Sequence, residues 1–170
     1  MKIFKSFLIV SLVLFSGMIE AQELKFGHIN VQELIQVLPD KQAADQKLQA
    51  EAKVLQTRME KMSEEHETKF KEYLAQRDSM PELIRATMEK EIQDIEQRLQ
   101  NYQTMAQQSL SKKEQELYKP ILDKVQQAID AVGQEQGFVY IFDVSSQVVL
   151  YHSDKSVDCM PFVKAKLGIN

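Results

Sequence analysis

Few side chains in this sequence could do chemistry. It has three histidines, His28, His66 and His152, and a single cysteine, Cys159. The stretch "HSDKSVD", His152 to Asp158, sets an imidazole near Asp154 and Asp158, donor types that can hold a divalent cation. Its spacing matches no tight ligand motif, and a solvated turn after a strand accounts for it better. His28 falls on a predicted strand with no carboxylate or thiol beside it. His66 falls in an apolar helical stripe, where a polar residue sets register. Cys159 could be a nucleophile, but it has no local nucleophile signature and stands by Met160 and Phe162, which suits apolar packing. A phosphate-binding Gly loop, a serine elbow and a paired-carboxylate cleft are also missing. The sequence therefore predicts no enzyme: no catalytic residue, no metal site and no cofactor.

The remaining chemistry is adhesive. Met59, Met62, Met80, Met88 and Met105 lie within a long polar helical region, and Leu74, Met80 and Leu83 fall at or near its one interruption, "RDSMPELI", Arg77 to Ile84. Methionine adapts its shape and recurs at promiscuous binding surfaces. Leu74, Arg77, Met80, Leu83, Ile84, Arg85 and Met88 are thus expected to contact varied, unstructured partners. Lys69, Lys71 and Lys90 interleave there with Glu72, Asp78, Glu82 and Glu89, so the tip is near neutral.

The element that must position these residues runs from Lys41 to Val132, rich in Gln, Glu, Lys and Ala and almost without Gly, a composition that favours helix. Two apolar stripes run along it at alternating steps of three and four. The outgoing one is Leu48, Ala52, Leu55, Met59, Met62, His66, Phe70 and Tyr73; the return is Ile84, Met88, Ile92, Ile95, Leu99, Tyr102, Ala106 and Leu110. Paired outward from the break, Tyr73 with Ile84 through Leu48 with Leu110, the position numbers keep a constant total to within one. That is what an antiparallel coiled-coil hairpin folding near Ser79 requires. Asp78 or Ser79 would cap the return helix and Pro81 would suit its first turn. The arm would be about 50 Å long. Pro120 should kink the return helix where it enters the rest of the molecule.

The two ends read differently. Leu24 to Pro39 begins as a strand and turns into a short helix near Val31 to Gln36. After Gly133 and Gly137, "FVYIFDV", Phe138 to Val144, and "VVLY", Val148 to Tyr151, flank a polar "SSQ" and predict a β-hairpin. A last helix, about Met160 to Leu167, follows. Residues 22–40 and 118–170 make a small β-containing body, and 41–117 make the arm, with its tip near 77–82. So small a body has open strand edges, and closure of its sheet by other subunits would remove them. Phe26, Ile29, Val139, Ile141, Val149 and Tyr151 are its candidate apolar residues. The fold class is α+β, mainly α.

Of 170 residues, 44% are hydrophobic and 27% charged, and the net charge is −4. An acidic balance argues against nucleic acid. Lys2 and Lys5 precede the apolar run "FLIVSLVLF", and Ala21 follows it, the pattern of a secretory signal peptide over residues 1–21 cleaved near Ala21. Nothing after Gln22 approaches transmembrane length. With one cysteine, no disulfide can form within the chain.

Signal peptide, "FGHINVQELIQVLP", a long Gln/Glu/Lys hairpin, "LYKPILDKVQQAIDAVGQEQGFVYIFD" and "VVLYHSDKSVDCMPFVKAKLG" together resemble the Skp/OmpH periplasmic chaperones across the mature length. The terminal segments carry the specificity; the arm contributes length and pattern. The resemblance implies a jellyfish-shaped homotrimer in the periplasm, its β body completed by three subunits and its helical arms enclosing a cavity. It also implies an ATP-independent holdase that keeps unfolded outer-membrane β-barrel proteins from aggregating. Contact with membrane surfaces would be peripheral, not integral. The chain departs from familiar members in being acidic where they are basic, and in reading Asp158, Cys159, Met160 where they carry a "D-I-T"-like triplet. A competing expectation from another class is an envelope coiled-coil adaptor bridging folded partners.

Overall fold

Parallel strands cannot be joined by a tight turn, and here the connection between the first two is the whole arm. The computed structural model describes residues 24–169; the expected signal peptide lies outside them. In chain order the elements are β1 (Lys25–Ile29), α1 (Val31–Gln36), α2 (Pro39–Gln76), a 3-10 turn (Arg77–Ser79), α3 (Glu82–Gln136), β2 (Phe138–Asp143), β3 (Val157–Asp158) and α4 (Met160–Leu167). β1 is the centre of a three-stranded sheet ordered β2-β1-β3, and both neighbours run parallel to it. The β1 strand, α1 and α4 fall where the sequence places them.

The expected hairpin is corrected. β2 forms, but Val148 to Tyr151 is not a strand, and β2 pairs instead with β1, across the arm. The cause lies at the end of β2. The Asp143 carboxylate accepts hydrogen bonds from Ser145 N (2.9 Å), Ser145 Oγ (2.9 Å) and Val31 N (3.2 Å), which tie the following turn to the start of α1. Gln147 then takes a positive φ of 57°, and the chain leaves the β2 edge.

Both arm helices form because their apolar stripes meet. α2 has 38 residues, so the outgoing limb spans about 57 Å. Ile92 and Ile95 are buried in the seam, and Leu48, Leu55, Met59, Met62, Leu99 and Tyr102 are half-buried along it. The caps at the tip differ from expectation. Ser79 Oγ donates to Gln76 O at 2.9 Å, closing the outgoing helix, and the return helix has no side-chain cap. Its N-cap position is Pro81, whose carbonyl accepts from Arg85 N at 3.0 Å. α3 continues unbroken through Pro120 to Gln136.

The body's core lies between the sheet, α1, the last third of α3 and α4. Ile29, Leu34, Leu38, Ala44, Ile121, Val125, Ala128, Val132, Cys159 and Val163 form one buried cluster. Gly27 is required by a close approach: a Cβ there would run into Cys159 Sγ and stand 3.1 Å from Phe138. At the arm's base, Asp45 accepts from Tyr118 Oη at 2.5 Å and pairs with Lys41 at 2.5 Å. Lys124 reaches Asp40 across the two helices at 2.7 Å.

Candidate functional site

The sequence singles out two surfaces, and the structure places them at opposite ends of the molecule. At the arm's far end, Leu74, Leu83 and Ile84 are exposed, Leu83 to 77%. Met80 and Met88 are half-buried, so Met80 contributes less free surface than its sequence position suggests. Arg77 and Arg85 are exposed, and Arg77 Nε bonds to neighbouring Asp78 at 3.0 Å. Phe70, assigned to the seam, is 43% exposed and joins the same end. The seam's last polar clasp lies just below the tip. Tyr73 Oη donates to Glu89 at 2.6 Å, and Lys69 pairs with Glu91 at 2.9 Å. The hydrogen bond to Glu89 raises the Tyr73 phenol above its ordinary range.

His66 is in the seam as expected, its ring stacked beside Phe70 and Nε2 3.0 Å from Glu96. It binds the two limbs together.

The second surface is one face of the sheet. β2 carries a bulge where the register with β1 shifts between Lys25 and Phe26. The extra residue changes the phase of the strand. Phe138 and Ile141 both pack on the core, while Tyr140 and Phe142 turn outward. Phe26, Tyr140 and Phe142 form an aromatic row with centroid separations of 6.3 and 5.8 Å. Sequence reasoning missed Tyr140 and Phe142, because simple alternation put Val139 and Ile141 on the working face. Val139 is exposed, Ile141 is half-buried against the core, and Ile29 is 1% exposed and belongs wholly to the protomer's interior.

Beside this row, Tyr151 is 81% exposed and Val149 half-buried, and Val148 and Leu150 are bare at 80% and 93%. Val149 and Tyr151, with Leu24, Phe26 and Phe142, border an open, mainly apolar hollow of about 880 Å³. A soluble monomer rarely exposes so continuous an apolar surface.

The structure brings His28 and His152, distant in sequence, into a stack with centroids 4.0 Å apart on this hollow, and His28 Nδ1 lies 2.9 Å from Ser156 Oγ. Among the described residues no group of three or more His, Cys, Asp or Glu is arranged to hold a metal. Cys159 is fully buried, and burial, with Asp158 beside it, pushes its thiol above the ordinary range. Such a thiol packs; it does not attack. No described helix is long and apolar enough to cross a membrane. What these surfaces offer is contact: an apolar ridge on a long lever, and an aromatic face at its root.

Comparison with known proteins places this arrangement. Residues 25–167 match the family model described as outer membrane protein (OmpH-like). Among solved structures, the chain is similar to a Caulobacter crescentus protein assigned as an OmpH-like outer membrane chaperone. The TM-score is 0.73 at 13% identity, covering 89% of this chain and 88% of that one. No curated relative matches at a significant level.

Proposed function

The chain belongs to the OmpH-like outer membrane protein family, and from that premise we propose that it is a periplasmic, ATP-independent holdase for unfolded outer-membrane β-barrel proteins. The observation that carries the reading is the exposure of Leu74, Leu83 and Ile84, Leu83 most of all, at the end of the arm. Apolar side chains held away from the body, on a near-neutral tip, suit a chain that has not yet folded. Single contacts of this kind are weak; several arms acting on one client add through effective concentration.

The assembly in this proposal is a homotrimer joined through the aromatic sheet face. Burial of Phe26, Tyr140, Phe142 and the Val148–Tyr151 segment against other copies would remove the apolar surface described above and cover the open edge of β2. Three arms then stand around one space, and no catalytic step is part of the function.

The test is light scattering from a urea-denatured outer-membrane β-barrel protein diluted into buffer with increasing amounts of this protein. The expected result is suppression that saturates near three chains per client. If scattering is unchanged while the protein binds one folded envelope partner stoichiometrically, the chain is an adaptor and the holdase reading falls.

A further inference from the structure

We infer that the stacked imidazoles of His28 and His152 make the joining of subunits through the sheet face sensitive to acid, so that copies hold together near neutral pH and separate below it. This rests on the homotrimer proposed above and gives it a regulator.

His28 lies within that face. In the ladder between β1 and β2 it stands opposite Phe142, as Phe26 stands opposite Tyr140. Side chains two residues apart on a strand share a face, so His28 extends the aromatic row by one position. His152 comes from the connection between β2 and β3 and stacks on it, with centroids 4.0 Å apart and 23° between the ring planes. It directly follows Tyr151, and the bare Val148 and Leu150 belong to the same connection. The stack thus anchors on the sheet the segment whose apolar residues are proposed to meet the neighbouring copy.

Histidine changes charge between about pH 5 and 8, where ordinary carboxylates, lysines and phenols do not. The charged imidazoles have no counter-ion built around them. Lys155 borders the hollow and adds a positive charge. Lys25 borders it too, but its ammonium is drawn away, bonded to Gln136 O at 3.0 Å and lying over the Phe138 ring. Among the described residues that border the hollow, none is a carboxylate. Asp158, opposite His28 on β3, uses its carboxylate to accept from Met160 N at 2.9 Å, and Asp154 is exposed. Asp143, at the end of β2, is taken up by Ser145 and Val31. Ser156 Oγ can donate to or accept from His28 Nδ1, so that bond holds in either state of the ring.

Coverage by a second copy is what gives the pair its effect. In a separate protomer His152 is exposed, and water screens the repulsion between two charged rings. Closing the face removes that water, and like charges 4.0 Å apart then repel far more strongly. The assembled form therefore binds fewer protons than separate chains, so association strengthens as pH rises and is lost as pH falls through the imidazole range. The Asp45 and Asp143 contacts persist there, because both carboxyls are held below their ordinary range.

The experiment is sedimentation equilibrium of the purified protein between about pH 7.5 and 5.5 at constant ionic strength. The wild type is compared with His28→Phe/His152→Phe and with His66→Gln, which alters the remaining histidine, and circular dichroism checks the fold. His28→Gln/His152→Gln replaces the Phe pair if that pair does not fold. Expected are trimers of all three at the upper pH. At the lower pH the subunit dissociation constant should rise about tenfold or more for the wild type and His66→Gln, and stay constant for the double variant. The inference is overturned if the wild type is equally tight at both ends of the range, or if the double variant loosens as the wild type does. A wild type that is monomeric at the upper pH overturns the proposed assembly itself.

Discussion

Tyr118 Oη donates to the Asp45 carboxylate at 2.5 Å, bridging the two limbs at the base of the arm. Lys41 shares the same carboxylate at 2.5 Å. The hydrogen bond from Lys41, then that from Tyr118, hold the Asp45 carboxyl below its ordinary range, and the same contacts raise Lys41 and Tyr118. A carboxyl with a depressed folded-state pKa stabilises the fold above its unfolded value, and this contribution is lost as pH falls through the folded one. The melting temperature should therefore fall on acidification below the ordinary aspartate range, and Asp45→Asn should flatten that part of the pH profile. An unchanged slope in Asp45→Asn would assign the acid sensitivity elsewhere.

Asp143 gives a second acid-sensitive point, in the body. Burial pushes its carboxyl up, but the hydrogen bonds from Ser145 N, Ser145 Oγ and Val31 N together outweigh burial and leave it below the ordinary range. The sign is the same as for Asp45: stabilising above the unfolded value, lost in acid. Asp143→Ala should speed hydrogen exchange at Val31 and Ser145 while leaving the seam amides near Ile92 and Ile95 protected. Equal loosening of the arm would show that this carboxylate does not act locally.

Gly27→Ala should destabilise the body by about 2–3 kcal/mol, because its Cβ meets Cys159 Sγ and Phe138 in a filled core. Cys159→Ala removes the sulfur, so the double variant should be more stable than the sum of the single costs predicts. Urea denaturation of the four proteins measures the coupling; strict additivity would mean that the two side chains do not compete for that space.

Leu74→Ser/Leu83→Ser should weaken client retention about three- to tenfold, through lost apolar contact repeated on each arm. Circular dichroism should barely change, since both residues are exposed. Unaltered retention would move the tip's contribution onto the arm walls.

Tyr140→Glu/Phe142→Glu should lower the mass measured by sedimentation equilibrium from three chains to one, because it puts charge on the aromatic row proposed to join the subunits. A variant that stays at the wild-type mass would exclude this face as the interface.

The seam was legible in the sequence because it obeys a local rule. Leu48 to Tyr73 and Ile84 to Leu110 repeat at steps that helical geometry imposes, and two stripes that match in reverse need only one reversal between them. The sheet was not legible in that way. β1 meets β2 across the whole arm, with Lys25 Nζ bonded to Gln136 O, and no local pattern encodes so distant a partner. Apolar runs at Phe138–Val144 and Val148–Tyr151 satisfy hairpin propensity, yet Asp143 and the central position of β1 decide otherwise. The bulge at Val139 likewise reverses inside and outside along β2, which alternation alone cannot reveal. At the tip, Leu74, Leu83 and Ile84 could be found from their position beside a break.

That the arm is itself the connection between two parallel strands gives the molecule an adjustable dimension. Both limbs leave and re-enter the body at fixed points, next to Leu38 and Ile121 in its core. Removing or adding matched heptads on the two limbs changes only how far the tip stands from the sheet. The reach of the tip is therefore set independently of the residues that build the root.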